Sequence, residues 1–201
     1  AVDYRLTLSL SPTLVAMLRD ELLQNRFSNY LDRMTALAGL ELDRTRREPQ
    51  FNQLAHFYHE RLIGLRWAYQ ELYHHDLIGA FADLGRCGRL ELITCTATHG
   101  FLPLMQHQSA AVQAQVNVAV QHFSQTFGYA PAGLWNAECG YYPGLDEHFA
   151  AGGFKYFFVD AHALLGANEP ARRSVYAPVA CPSGVAAFGR DVVTSREVWS
   201  S

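Results

Sequence analysis

Residues 133–142 read Gly-Leu-Trp-Asn-Ala-Glu-Cys-Gly-Tyr-Tyr, and Pro143-Gly144 follow. An apolar run, Gly133-Leu134-Trp135, stops just before one carboxylate, Glu138, and a Gly-Tyr-Tyr-Pro-Gly turn comes after it. A strand that ends by delivering a lone acid beside aromatic rings is how an α/β enzyme presents a reacting group. The rings also suit a sugar, whose C–H faces pack on aromatics while its hydroxyls take polar partners. A surface turn with a solvated Glu fits the same pattern, so the motif alone leaves both readings open.

Working outward, short strands alternate with helices from Leu90 onward. A strand is predicted over 90–96, a loop over 97–103 carrying His99, and an amphipathic helix over 109–127 that buries Val112, Val116, Val120 and Phe123. Leu134-Trp135 lies in the next strand, a brief helix covers 146–151, and a strand over 154–159 ends at Asp160. Shorter extended pieces are expected at 175–179 and 185–188, and a helix from Ser195. Such alternation predicts a parallel sheet, either barrel or open. His99, Glu138, Asp160 and Asp191 each follow a predicted strand, which gathers them at the C-terminal ends of the strands, where α/β enzymes place their chemistry. Asp160 and Asp191 are, from position alone, the candidates for a second carboxyl beside Glu138.

Before Leu90 the pattern differs. Residues 4–10 alternate as a strand, with Ser11 as N-cap and Pro12 as first helical residue. Leu14, Val15, Leu18, Leu22 and Leu23 then keep helical spacing. A second helix is predicted over 28–46, Pro49 interrupts, a third runs over 53–74, and Asp76 caps a fourth that stops near Gly85 or Gly88. Residues 12–88 therefore read as a mostly helical insertion between strands.

With 49% hydrophobic and 17% charged residues, the 201-residue chain reads as globular, with length enough for a sizeable core. A net charge of −3, from 19 acids against 16 bases, speaks against nucleic acid. No apolar run has membrane-spanning length. Cys87, Cys95, Cys139 and Cys181 form no CxxC pair, which fits reduced thiols in the cytoplasm. His74-His75 are adjacent rather than i, i+4, which argues against a shared metal. The sequence begins without methionine, lacks a signal-peptide layout and runs straight into a strand-like segment, which reads as a truncated start.

Four ordered segments carry a resemblance that covers most of positions 90–201. Residues 135–141 (WNAECGY), 91–103 (ELITCTATHGFLP), Phe157-Phe158-Val159-Asp160 with His162, and Phe188-Gly189-Arg190-Asp191 running to Val198-Trp199-Ser200 resemble glycoside hydrolase family 57, especially its α-1,4-glucan branching enzymes. Asn136 stands where that family usually has Leu. The resemblance implies part of a (β/α)7 incomplete TIM-like barrel acting on α-1,4-glucan, without metal or organic cofactor. It implies that Glu138 is the nucleophile of a retaining mechanism and that His99 contacts the sugar. Trp135, Tyr141, Asp160, His162, Arg190 and Asp191 are further candidates for substrate binding. The residues themselves leave alternatives: Trp135 as core packing, Tyr141 as stacking platform, Asp160 with His162 as a polar pair or a helix cap, and Arg190 with Asp191 as a structural ion pair. Cys139 reads as a buried, inert thiol.

The family takes its acid/base Asp from a strand beyond Trp199 and opens its barrel with an earlier His-containing segment. The 201 residues are therefore expected to be an internal piece that is inactive alone and has the remainder of its own barrel as partner. Branching of α-1,4-glucan in carbohydrate (glycogen-type) metabolism is the leading expectation. α-Amylase or 4-α-glucanotransferase activity, or a non-catalytic glucan- or partner-binding role, are the alternatives.

Overall fold

The structure, a computed structural model, describes residues 3–169 and 171–199; Ser200, the end of the fourth resembling segment, lies outside them. The described residues divide into two compact units, one running up to Leu14 and resuming at Gly85, the other spanning Val15–Leu84. Strand β1 (Leu6–Ser9) leads into α1 (Pro12–Arg19), where Ser11 Oγ accepts from the Leu14 N–H at 3.1 Å, the N-cap its sequence predicts.

The helical unit corrects several expected boundaries. Asp20 stops α1 and caps α2 (Glu21–Arg44), its side chain accepting from the Leu23 N–H at 2.9 Å. The second helix thus starts at Glu21 rather than residue 28; the apolar spacing continues across the break and hides it. Helix α3 (Pro49–Trp67) opens at Pro49, which serves as a first-turn residue rather than a breaker, four residues before the expected start. A π turn (Ala68–Leu72) ends it, and α4 (Leu77–Arg86) follows, with Asp76 Oδ1 accepting from the Gly79 N–H at 2.8 Å. Helices α2 and α3 lie antiparallel. At one end Asn52 Nδ2 donates to the Leu42 carbonyl (2.9 Å) and Thr45 Oγ1 (3.1 Å); at the other Arg66 meets Asp32 at 3.4 Å. No side chain of α3 is fully buried.

The other unit holds the sheet: β2 (Leu90–Cys95), α5 (Ser109–Phe127), β3 (Gly133–Trp135), α6 (Leu145–Ala151), β4 (Tyr156–Asp160), α7 (Ala161–Leu165), β5 (Val179–Ala180), β6 (Ala186–Arg190) and α8 (Val192–Trp199). Strand order is β1-β2-β3-β4-β6-β5, parallel throughout except for β5, which pairs antiparallel with β6. A parallel-dominated α/β sheet is what the alternation predicts. The described residues form six strands; a seven-stranded barrel goes beyond them. Two local expectations change: Ser174–Tyr176 is a 3-10 turn rather than extended chain, and α8 starts at Val192 rather than Ser195.

Register sorts the side chains onto two faces, because paired residues of neighbouring strands point the same way. Leu134 pairs with Phe157, and Phe157 with Ala187. All three are buried, in one cluster with Val112 and Val116 of α5 and Phe149 of α6. Val112, Val116, Ala119 and Phe123 recur at helical spacing, so α5 presents one apolar stripe to that face, and Gly128 closes the helix at φ 81°. Each large side chain so buried contributes about 1.5–3 kcal/mol relative to exposure. The alternate residues form the second face. There Trp135 lies 5.7 Å from Phe158 and Phe158 6.0 Å from Phe188, all half-buried. Along that face Asp160 and Arg190 share the last rung of β4 and β6. No helix among the described residues is long and apolar enough to cross a membrane.

Candidate active site

Strand β3 ends at Trp135, Asn136 stays extended, and Ala137–Cys139 make a 3-10 turn. Glu138 sits at φ 51°, ψ 23° and Cys139 at φ 54°, so two successive side-chain-bearing residues hold a left-handed backbone. Such residues each cost on the order of 1–3 kcal/mol and persist only where the surroundings enforce them. Here the enforcement is visible. Cys139 N–H donates to the Asn136 carbonyl (2.9 Å), Gly140 N–H to that of Ala137 (3.2 Å), and the fully buried Asn136 side chain spans the turn through Nδ2 to the Gly140 carbonyl (2.5 Å). Asn136 and Cys139 point inward, leaving the Glu138 side chain 76% exposed.

His99 occupies the loop after β2, also left-handed at φ 56°. That loop is tied to α5: Gln115 accepts from the Ala97 N–H through its carbonyl (3.0 Å) and from the Thr98 N–H through Oε1 (2.9 Å). The imidazole is thereby placed with Nε2 3.4 Å from Glu138 Oε1 and Nδ1 3.4 Å from Cys95 Sγ. A groove of about 530 Å³ opens beside this pair, lined by Glu138, Tyr141, Asp160 and His162 together with Phe101 and Pro103. Asp160 does not pair with His162; its Oδ1 meets Arg190 Nη2 at 2.8 Å, across the shared rung. This also corrects the Arg190–Asp191 pair: Arg190 is the last residue of β6 and turns to Asp160, while Asp191 lies past the strand. Asp191 instead caps α8, accepting from the Val193 and Thr194 N–H groups at 3.3 and 3.2 Å. The Thr194 hydroxyl and these amides hold its carboxyl below the usual range.

Tyr141 stacks on Phe157 (5.7 Å, 20°) and donates its hydroxyl to Asp146 at 2.9 Å, so its ring leans on the core while its edge reaches the groove. Burial, then that bond, raise its phenol. Trp135 packs on the second face with Phe158. Cys139 is buried, and burial, reinforced by Asp160, pushes its thiol up to about 11, which leaves almost no thiolate at neutral pH. Among the described residues no three His, Cys, Asp or Glu side chains are grouped to hold a metal ion. Asn136 and Phe101 went unnoticed in the sequence as site residues; only their places inside the resembling segments pointed to them. A comparably large groove, about 500 Å³, lies along α2 and α3, but leucines and aromatic rings dominate its lining.

The sequence matches the glycosyl hydrolase family 57 profile over residues 11–198. The chain belongs to this family. Among solved structures it resembles the α-amylase AmyC of Thermotoga maritima (40% identity, TM-score 0.91), covering 98% of this chain and 38% of that one. It also resembles the family 57-type branching enzyme of Pyrococcus horikoshii (26%, TM-score 0.88), covering 100% of this chain and 40% of that one. A curated 1,4-α-glucan branching enzyme of Thermococcus kodakarensis is 27% identical over 229 residues, across 100% of this chain and 33% of its own length. The chain thus spans about a third of that relative. In this family 57 chain Glu138 stands on the turn just past the C-terminal end of a central strand.

Proposed function

We propose that this chain supplies the nucleophile and part of the substrate cleft of a retaining α-1,4-glucan branching enzyme. The observation that carries the reading is Glu138: an exposed carboxylate on an enforced left-handed turn, 3.4 Å from His99, at the C-terminal end of a parallel strand. Glu138 attacks the anomeric carbon of an α-1,4-linked glucosyl unit and the C1–O4 bond breaks. The departing 4-oxygen takes a proton from the acid/base carboxyl, and a glycosyl ester forms on Glu138. The 6-hydroxyl of a second glucan then attacks C1 and returns its proton to that carboxyl, releasing Glu138. Two inversions at C1 give net retention. His99 donates from its imidazole to a sugar hydroxyl. Asp160, His162 and Arg190 bind along the groove, with Tyr141, Trp135 and Asp191 as more peripheral contributors. Asp160 is committed to Arg190, which favours an acid/base from another segment of the polypeptide. The 201 residues by themselves are accordingly not expected to transfer glucan. Residues 12–88 act as a helical insertion, and the described thiols, none of them in a disulfide, fit a cytoplasmic enzyme of storage-glucan metabolism.

The 40% identity to AmyC favours hydrolysis as a second reading, in which water rather than a 6-hydroxyl resolves the ester. The test is the complete barrel with and without Glu138→Gln, incubated with amylose. The parent should gain α-1,6 branches without a matching rise in reducing ends, and Glu138→Gln, which cannot form the ester, should lose nearly all turnover with its melting temperature kept. Reducing ends without branches would move the assignment to an amylase. Near-parental turnover in Glu138→Gln would remove Glu138 as nucleophile.

A further inference from the structure

We propose that Phe101 is the aromatic platform on which the glucosyl unit beside Glu138 rests. This goes beyond the nucleophile assignment but depends on the groove being a glucan site.

Phe101 lies two residues after His99 and lines the same groove as Glu138, with 39% of its surface exposed. Its backbone is fixed. Phe101 precedes a 3-10 turn (Leu102–Met105) whose first residue, Leu102, is fully buried and whose second is Pro103, and its carbonyl accepts from the Leu104 N–H at 3.1 Å. The ring therefore has an anchored root and an open side.

What it rests on is the turn that carries Glu138. A β-carbon at Gly140 would lie 2.2 Å from Phe101 Cε2, 2.9 Å from Cζ and 3.0 Å from Cδ2. Gly140 has φ −73° and ψ 120°, a conformation open to any L-residue, so its backbone does not call for glycine. The ring does: only a residue without a side chain lets Phe101 seat against the turn. The other aromatic candidates are committed elsewhere. Tyr141 stacks on Phe157 and bonds Asp146 through its hydroxyl, and Trp135 packs with Phe158. Phe101 is left as the exposed apolar ring among Glu138, Asp160 and His162, the mixture of one flat apolar surface and convergent polar groups that a pyranose needs.

The experiment measures maltoheptaose binding by calorimetry to the complete barrel in the inactivated Glu138→Gln background, where no turnover consumes the ligand. Phe101→Ala should weaken binding by about tenfold, whereas Phe101→Trp and Phe101→Tyr should keep it within about threefold of the parent. Gly140→Ala, which pushes the ring off its seat without removing it, should also weaken binding. Melting temperatures are recorded for every variant. Binding by the parent that Phe101→Ala leaves unchanged overturns the platform alone. Equal loss in the Ala, Tyr and Trp variants, tracking a fall in melting temperature, assigns Phe101 to packing and overturns it as well. A parent that fails to bind maltoheptaose overturns the glucan reading and the platform with it.

Discussion

Asn136 shows how one side chain sets the direction of another. Its amide bridges the ends of the turn that lifts Glu138 toward solvent, and its own Oδ1 is buried with no hydrogen-bond partner among the described residues. Asn136→Ala removes the donor facing the Gly140 carbonyl and frees the left-handed pair Glu138-Cys139 to relax. The expected outcome in the complete barrel is a stability loss of about 1–3 kcal/mol, from denaturant unfolding, together with a fall in kcat that exceeds any change in KM. Unchanged kcat in a folded Asn136→Ala protein would show that the turn keeps its shape without the bridge.

Asp146 does comparable work between elements. It sits at the start of α6, fully buried, and takes the Tyr141 hydroxyl on Oδ1 (2.9 Å) and the Ser183 N–H on Oδ2 (3.1 Å). The first bond steadies the residue that follows the Glu138 turn; the second holds the loop between β5 and β6. Burial pushes the carboxyl up, but the Ser183 and Tyr141 hydrogen bonds outweigh it and hold the group below its usual range. A depressed native pKa means the unfolded chain binds the proton more readily. The associated stability is therefore present above the ordinary carboxylate range and disappears as pH falls through the native value. Asp146→Asn should destabilise by about 1–3 kcal/mol at neutral pH, and the gap between variant and parent should close as the pH drops below that range. Urea titrations at several pH values check both parts; a gap that widens in acid would contradict the hydrogen-bond account.

At the scale of the molecule, each unit keeps apolar surface in reserve. On α2 and α3, Leu40 is 65% and Trp67 55% exposed, and the groove along these helices is floored by Leu37, Phe51, Leu54 and Tyr58. In the sheet unit, the Trp135, Phe158 and Phe188 rings are only half-covered, and β1 and β5 are the edge strands. Apolar patches and free strand edges are surfaces that seek partners. The 201-residue chain purified alone should therefore bind a hydrophobic dye and self-associate, with a mass by light scattering that rises with concentration. A monodisperse monomer without dye binding would show these surfaces to be tolerated in water.

Much of this was legible in the chain itself, for a local reason. The Val112–Val116–Phe123 stripe, the caps at Ser11 and Asp76 and the strand that stops before Glu138 each depend on residues within a turn or two of one another. Helix starts were misplaced where two local signals compete: Asp20 splits an unbroken apolar spacing, and Pro49 opens a helix instead of ending one. Partner choice belonged to the tertiary structure. Arg190 lies next to Asp191 in sequence, yet Asp191 falls past the end of β6 and caps α8, while the register of β4 with β6 brings Asp160 alongside Arg190. Likewise Gly140 reads as an ordinary turn glycine until the loop after β2 lays Phe101 on it, and Tyr141 reads as a free platform until Phe157 and Asp146 engage it. Periodicity says which way a side chain points relative to its neighbours in the chain. What it meets there depends on the pairing of strands distant in sequence, and only the folded sheet sets that.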